Sequence, residues 1–311
     1  GGRGTGGRGG RGSGGDGGDE PDAWPWRWRW RVAALLVVAT GLQLSLGPAR
    51  ASGESTGGPS VSIIIPVLNE SKHITQTLRF LKLLDPLPLE VIVVDGGSQD
   101  GTAKLAARQG AKVVGSVKGR GRQMNEGAAL AKGDILCFLH ADTLPPLNLV
   151  AQTRATLSKE EVVLGGFFPL IQEPDRVLWF PTLHNAAKTW YAPMLFRPVS
   201  FARGLRLLFG DQAQFCRASD FRRLGGFDPE LIIMEDADLC IRMHMQARGG
   251  RRRGAVRMLP SAVQTSGRRI GSWGNLRATW IHFRIALQWY LGGTPGELRT
   301  TYNKIYTDNF R

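Results

Sequence analysis

Acidic side chains recur at four places in this chain, each beside an apolar run. Glu70 follows VSIIIPVLN, Asp95 ends EVIVVD, Asp142 ends GDILCFLHAD, and Glu235, Asp236 and Asp238 follow LIIM. Carboxylates gathered in one place hold a divalent cation or take a proton from a hydroxyl. Between the second and third groups, GRGRQMNEG carries Arg120 and Arg122 at the expected start of a helix. Guanidinium groups at a helix N-terminus favour a bound phosphate or carboxylate. Cation-binding acids beside phosphate-binding arginines are what a nucleotide diphosphate needs. FLHADT, residues 138–143, is the odd member, because His140 stands where such sites usually carry a first aspartate. Residues i and i+2 of an extended segment point to one side, so His140 and Asp142 are expected to share a site. Mg²⁺ takes one or two carboxylates plus substrate phosphates, and imidazole suits Mn²⁺ and later metals better.

Three of these acids can meet only if a sheet delivers them. VSIIIPV, EVIVVDGGS (90–98), AKVVGSV (111–117) and GDILCFLHAD (133–142) are apolar throughout rather than alternating. That is the pattern of strands covered on both faces. Helical patterns lie between them, at roughly 70–84, 100–109 and 121–132. Strands alternating with helices predict βαβ units and a parallel sheet, and ligands bind beyond the carboxyl ends of such strands. Pro66, Asn69 and Glu70, then Asp95, Gly96, Gly97 and Ser98, then His140 and Asp142, fall at those ends. Taken singly, Asp95 and Ser98 also suit a turn and a helix cap, and Glu70 suits a first helical turn. LIIMEDADLCIRMHMQA reads as a helix starting near Glu235. Its dipole is expected to keep Glu235 and Asp236 ionised, and the three acids equally suit that helix end alone.

The 311 residues carry a formal net charge of +14. Residues 1–59 hold seven Arg against five acids, so the excess lies mostly in the rest of the chain. A basic balance favours anionic partners without choosing among them. Cys137, Cys216 and Cys240 are odd in number and widely spaced, which argues against a disulfide framework or a zinc site. Cys137 reads as core. Residues 1–22 form a Gly/Arg-rich leader too polar to fold; with no interleaved aromatics, an RNA-binding tract is the lesser reading. Residues 23–59 hold arginines, the apolar stretch Val32–Leu46, then Ala49-Arg50-Ala51. That layout suits a cleaved signal segment, an uncleaved anchor or a plastid-type presequence, although 15 apolar residues are short for a span. Trp24, Trp26, Trp28 and Trp30 suit a membrane interface. The expected localisation is the secretory pathway, a membrane or an organelle.

VSIIIPVLNE, EVIVVDGGSQDGT, GRGRQMNEGAALAKGDILCFLHADT and GGFDPELIIMEDADL together resemble the family 2 glycosyltransferases, over about residues 61–290. The resemblance implies a GT-A fold, α/β: a Rossmann-like, mostly parallel sheet with flanking helices, plus a C-terminal helical acceptor side. It implies a glycosyltransferase domain over 60–291, followed by a tail, 292–311. Within the family, the FLHADT, GDQ, MED and TSGRR motifs are most similar to a bacterial-type subgroup linked to radical-SAM partners and arsenosugar biosynthesis. The implied partners are a nucleoside-diphosphate sugar and a small-molecule or lipid acceptor, and the implied cofactor is Mg²⁺ or Mn²⁺. No nucleic acid is expected.

The resemblance also implies roles. Pro66, Asn69 and Glu70 would line the nucleotide pocket, with Asp95 and Ser98 beside the base. Arg120, Arg122 and Asn125 would border the nucleotide and sugar phosphate. Asp142 would meet the metal and His140 a ribose or phosphate oxygen, with direct ligation by His140 the alternative. Asp236, with Glu235 close behind, would be the general base of an inverting transfer. Gly210, Asp211 and Gln212 would line the acceptor side, and Arg268 and Arg269 would close over the diphosphate. Asp211 as a turn residue and the two arginines as solvated charges remain open.

Two aromatic regions are left. Residues 167–206 carry Phe167, Phe168, Trp179, Phe180, Trp190, Tyr191, Phe196 and Phe201, read as core or as an acceptor-binding surface. LRATWIHFRIALQWYL (276–291) puts Leu276, Trp280, Phe283 and Leu287 on one face, with Ile281, Ile285 and Trp289 beside it. Burial of that face is expected, with interfacial membrane attachment as the alternative. Arg248, Arg251, Arg252 and Arg253 form a basic loop able to touch anionic lipid. Two rival functions stand beside the transferase. A nucleotidyltransferase would want a Gly-rich loop with a basic residue after the first strand, which PVLNES lacks. A basic membrane or nucleic-acid binding protein would have no need of acids at three strand ends.

Overall fold

The computed structural model describes residues 1, 57–173, 175–248, 254–268 and 275–307, with no side-chain description for 248, 275–279 and 305–307. The leader, the targeting segment with its four tryptophans, the basic loop at 251–253 and Arg269 lie outside the described residues. Apart from residue 1, the described residues belong to one compact unit, Ser55–Arg311.

The first half is built from β1 (Val61–Val67), α1 (Ser71–Leu81), β2 (Glu90–Asp95), α2 (Thr102–Arg108), β3 (Lys112–Gly115), α3 (Arg120–Leu130) and β4 (Ile135–Phe138). The four strands run parallel in the order β3-β2-β1-β4. Their register aligns Val67 with Asp95 and Asp95 with Gly115, so the chain leaves β1, β2 and β3 along one edge. Alternate residues of β1 face opposite layers. Ile63 and Ile65 pack with Val93 and Cys137 on one side, while Ile64 packs with Ile92, Val94 and Met124 on the other. Continuous apolar sequence is thus the signature of burial on both faces.

β5 (Thr143–Leu144), α4 (Leu149–Leu157), β6 (Val162–Glu173), β7 (Arg176–Val177), α5 (Trp179–Phe196) and α6 (Pro198–Ala202) come next. They are followed by β8 (Phe215–Arg217), α7 (Ala218–Leu224), α8 (Glu235–Arg248), β9 (Ala255–Ser266), α9 (Asn275–Tyr290) and α10 (Pro295–Thr307). β8 pairs antiparallel with both β4 and β6, and β6 runs parallel to β9. The whole is the expected α/β fold, a mostly parallel sheet flanked by helices.

Three details depart from the sequence reading. The fourth strand stops at Phe138, and His140 O accepts from Thr143 N in a turn at 3.2 Å. His140 and Asp142 therefore share a turn rather than an extended segment. On α9, Ile281 and Ile285 are buried against Leu231 and Leu298, while Trp280 and Phe283 face outward. The buried stripe is the secondary one of the two expected. Residues 295–307, expected as tail, form a helix whose Leu298 is 1% exposed. Thr294 N donates to Glu297 Oε2 at 2.8 Å and Glu297 N to Thr294 Oγ1 at 3.3 Å, a reciprocal cap that starts the helix. Among the described residues no helix is long and apolar enough to cross a membrane.

Gly165 of β6 lies opposite Phe215 of β8, and the buried ring covers it. A Cβ at 165 would sit 2.3 Å from the ring's Cζ. Gly165→Ala must displace Phe215, which also packs on Phe167 at 5.5 Å between centroids. Overpacking of this kind costs about 1–3 kcal/mol. The expected outcome is a melting midpoint several degrees lower by calorimetry, with the circular dichroism of the folded state unchanged.

Candidate active site

The carboxyl ends of β1 and β4 open onto a cleft of about 980 Å³, a size typical of small-molecule sites. Pro66 and Glu70 line it from β1, His140 and Asp142 from the turn after β4, and Arg120 and Arg122 from the first turn of α3. Gly210, Asp211, Asp236 and Arg268 line it from the second half of the chain. Residues far apart in sequence thus meet where the sheet directs them.

Arg120 is the centre of charge. Its Nε donates to Glu235 Oε1, and a terminal nitrogen lies 3.4 Å from Asp236 Oδ2. Burial works against the guanidinium's charge, but Glu235 and Asp236 outweigh it and raise its pKa. The two acids differ in access. Glu235 is fully buried and absent from the lining, whereas Asp236 faces the cleft. Met234, at φ 71°, turns the chain into α8 immediately before them. A non-glycine residue in that conformation is uncommon and costs energy, and such strain clusters at functional sites.

Burial pushes the Asp236 carboxyl up to about 7, with Arg120 opposing the rise and Glu235 and Asp211 adding to it. The helix dipole does not keep both acids fully ionised, contrary to the expectation from sequence, because desolvation is the larger effect on Asp236. Proximity here requires a glycine. A Cβ at Gly210 would sit 2.5 Å from His140 Nε2 and 2.9 Å from Asp236 Oδ2.

Elsewhere in the lining, Arg268 donates to Glu70 Oε1 at 2.5 Å and lies 3.4 Å from Asp142 Oδ2. Burial disfavours its charge, but the bond to Glu70 and the field of Asp142 raise its pKa overall. Glu70 Oε2 is buried without a hydrogen-bond partner. No group of three or more His, Cys, Asp or Glu able to hold a metal occurs among the described residues. Asp142 with Glu70 nearby is therefore not a protein cage. It fits a cation that brings phosphate oxygens and water as its remaining ligands.

Other expected site residues have structural partners. Asn125 Nδ2 donates to Phe227 O and its Oδ1 accepts from Phe227 N, both at 2.8 Å. Its amide is consumed in clamping a loop and does not border the cleft. Gln212 is fully buried, and its Oε1 accepts from Phe209 N at 2.7 Å. It supports the wall from behind. Asp95 accepts from Ser98 N at 3.1 Å, Ser98 Oγ accepts from Asn69 N at 2.9 Å, and Asn69 Oδ1 accepts from Gln99 N at 2.9 Å. These three tie the ends of β1 and β2 into a rim that stands outside the cleft's lining. Arg122 reaches Glu230 at 2.7 Å at the mouth.

Residues 167–206 were expected as core or an acceptor-binding surface, but their polar side chains were not singled out. Pro181, His184, Asn185, Lys188 and Ala192 of α5 line the cleft, at spacings that share one helical face. Asn185 donates to Asp211 Oδ2, and Lys188 Nζ lies 3.7 Å from the Phe209 ring centroid. Burial lowers the Lys188 pKa against the pull of Asp211 and Asp236, and burial raises that of Asp211 against Lys188. The aromatic residues of α5 masked this small and polar face. Arg299, Tyr302 and Asn303 of α10 also line the cleft. The TPGE capping pattern at 294–297 was the available signal for that helix.

Known proteins resemble this chain in sequence and in fold. The chain is 27% identical to a probable glycosyltransferase of Bacillus subtilis over 253 residues, covering 75% of this chain and 55% of that protein. An uncharacterized glycosyltransferase of Rickettsia typhi is 27% identical over 194 residues, covering 60% and 59%. The chain thus spans somewhat over half the length of these relatives. Among solved structures, glucosyl-3-phosphoglycerate synthase of Mycobacterium tuberculosis in complex with phosphoglyceric acid superposes with a TM-score of 0.55. Its identity is 22%, over 76% of this chain and 81% of that one. At that identity the likeness concerns the fold, a GT-A arrangement. Residues 62–221 match the model of glycosyl transferase family 2, and the chain belongs to that family.

Proposed function

We propose that this chain transfers a glycosyl group from a nucleoside-diphosphate sugar to an acceptor hydroxyl, with inversion. The observation that carries this reading is the position of Asp236. It is a buried carboxylate with a pKa near neutrality, facing a cleft that Asp142, Glu70 and Arg268 also line. A base is most effective when its pKa lies near the working pH. In the proposed step the acceptor oxygen bonds to the anomeric carbon as the bond from that carbon to the diphosphate oxygen breaks. Asp236 receives the hydroxyl proton. Glu235 acts through Arg120, holding it against Asp236. Negative charge develops on the departing diphosphate, and Arg268 and Arg122, which line the cleft, would receive it.

Asp142, with Glu70 close by, would hold a divalent cation. Such an ion, when bound, supplies Lewis-acid stabilisation of the leaving diphosphate. The solved synthase structures include complexes with Mn²⁺, UDP and phosphoglyceric acid, and with Mn²⁺, UDP-glucose and phosphoglyceric acid. They support a uridine nucleotide and Mn²⁺ as the first pair to try. Lys188, Asn185 and Asp211 would face the transferred sugar or the acceptor, offering hydrogen bonds to hydroxyl groups. An arsenosugar precursor as acceptor rests on the motif resemblance alone.

UDP or GDP with Mn²⁺ is expected to raise the thermal midpoint of the purified protein. Asp142→Asn is expected to remove the metal-dependent part of that rise and leave the unliganded midpoint nearly unchanged. A panel of nucleoside diphosphates with no effect would sink the reading. An unchanged metal-dependent rise in Asp142→Asn would remove the metal from Asp142.

The pH dependence follows from the sign of the Asp236 shift. The carboxylate is the working form, so kcat/KM measured by diphosphate release is expected to fall about tenfold per pH unit below about 7. Asp236→Asn is expected to lower kcat by roughly 10²–10⁴. Stability moves the other way. A raised folded-state pKa means that stability declines as pH rises from the unfolded value of 3.8 towards about 7. At pH above 7, Asp236→Asn should therefore melt no lower than the parent protein.

A further inference from the structure

α5 has two faces of opposite character. One lines the cleft. The other presents Trp179, Phe180, Leu183, Ala187, Trp190 and Met194 to solvent. Their spacing places them along a single stripe about a third of the helix circumference wide. The five large side chains are each between 45% and 58% exposed. Leu195, Phe196 and Val199 extend the exposed apolar surface past the end of α5. Contiguous exposed apolar surface of this kind marks an interaction site.

The sequence that carries the stripe is basic. From Leu178 to Gly210 it has no acidic residue, and Arg197, Arg203 and Arg206 fall within it, besides the cleft-lining Lys188. Arg206 lies over the Trp190 ring at 4.5 Å and over Phe201 at 4.1 Å, holding a guanidinium against the apolar surface. α9, whose Tyr290 stacks on Phe196 at 4.2 Å, also exposes Trp280 and Phe283. The sequence from Leu239 to Gly296 has no acidic residue and ten arginines.

We infer that the outer face of α5 seats on a lipid bilayer surface carrying anionic headgroups. Tryptophan and phenylalanine at the headgroup level, flanked by arginine, are the chemistry of interfacial attachment. A second copy of the chain is a poorer occupant. A two-fold contact would set the same basic rim against itself, whereas anionic headgroups neutralise it. Because the opposite face of α5 walls the cleft, attachment would hold the cleft beside the lipid. The inference concerns a surface and does not depend on the transfer chemistry.

The test is co-sedimentation of the full chain with phosphatidylcholine vesicles, with and without phosphatidylserine. Stronger partitioning into the phosphatidylserine vesicles, weakened by added salt, is expected. Combined Trp179→Ser, Leu183→Ser and Trp190→Ser should lower partitioning by about tenfold or more. Arg203→Glu, at an exposed position, should lower it severalfold for the anionic vesicles only. Both variants should keep the parent's circular dichroism and a cooperative melt. Should the triple variant not fold, Arg203→Glu decides alone. Partitioning unchanged by the folded variants would assign lipid binding to another part of the chain and overturn the inference. So would absence of binding to either vesicle, or a concentration-dependent dimer in light scattering that the triple variant abolishes.

Discussion

The contact of half-buried Arg120 with the buried Glu235 and Asp236 governs the rest of the site. Two carboxylates taken out of water are costly unless a cation neutralises them. One guanidinium against two carboxylates leaves a surplus negative charge, and burial turns that surplus into the raised pKa of Asp236. The same contact joins the two halves of the fold. Arg120 opens α3, which packs on β1 and β2, whereas the acids open α8 some 115 residues later. The carboxylate proposed as base is therefore oriented by a residue of the first half of the fold. The first turns of two helices converge on it, and their dipoles oppose part of the cost of burying acid.

α5 extends that logic outward. Its inner face adds Lys188 to the acidic side of the cleft, where Asp211 and Asp236 attract the ammonium group while burial disfavours it. Buried Asp236 and the half-buried Asp211 and Lys188 again balance only together. The outer face of the same helix carries no such compensation and is apolar. The element that completes the electrostatics of the cleft is thus also the one with the least reason to face water.

Legibility in the sequence followed local physics. β1, β2 and β4 were readable because strands covered on both faces must be apolar at every position, and VSIIIPV, EVIVVD and ILCF have no polar side chain in their middle. Glu70 and Asp142 were readable because a parallel sheet gathers strand ends, whereas Asp236 was marked by the family resemblance and a helix start. The misses have equally physical causes. Asn125 lies on the site's helix, but a backbone segment at 227, more than a hundred positions away, uses both ends of its amide. Sequence spacing does not report such a partner. Lys188 and Asn185 were hidden because α5 is apolar overall, so its few polar positions looked incidental. On α9 the competing apolar stripes were both visible, and only packing against Leu298 of α10 selected Ile281 and Ile285.

The turn after β4 resolves the question that His140 poses. Asp142 and Glu70 are not left bare in the protein alone, since Arg268 bridges them. A guanidinium thus supplies the positive charge that the two carboxylates require. On the proposed reading, Asp142 and Glu70 would hold the cation, and Arg268 would turn from them to phosphate oxygens. One positive charge would then replace another beside Asp142, which keeps the desolvation cost low. His140 lines the same cleft, and a Cβ on Gly210 would stand 2.5 Å from its Nε2 and 2.9 Å from Asp236 Oδ2. An aspartate at 140 would add a further negative charge to the surplus already there and raise the Asp236 pKa further. Imidazole in place of a first aspartate is thus consistent with a base that must be ionised near neutrality.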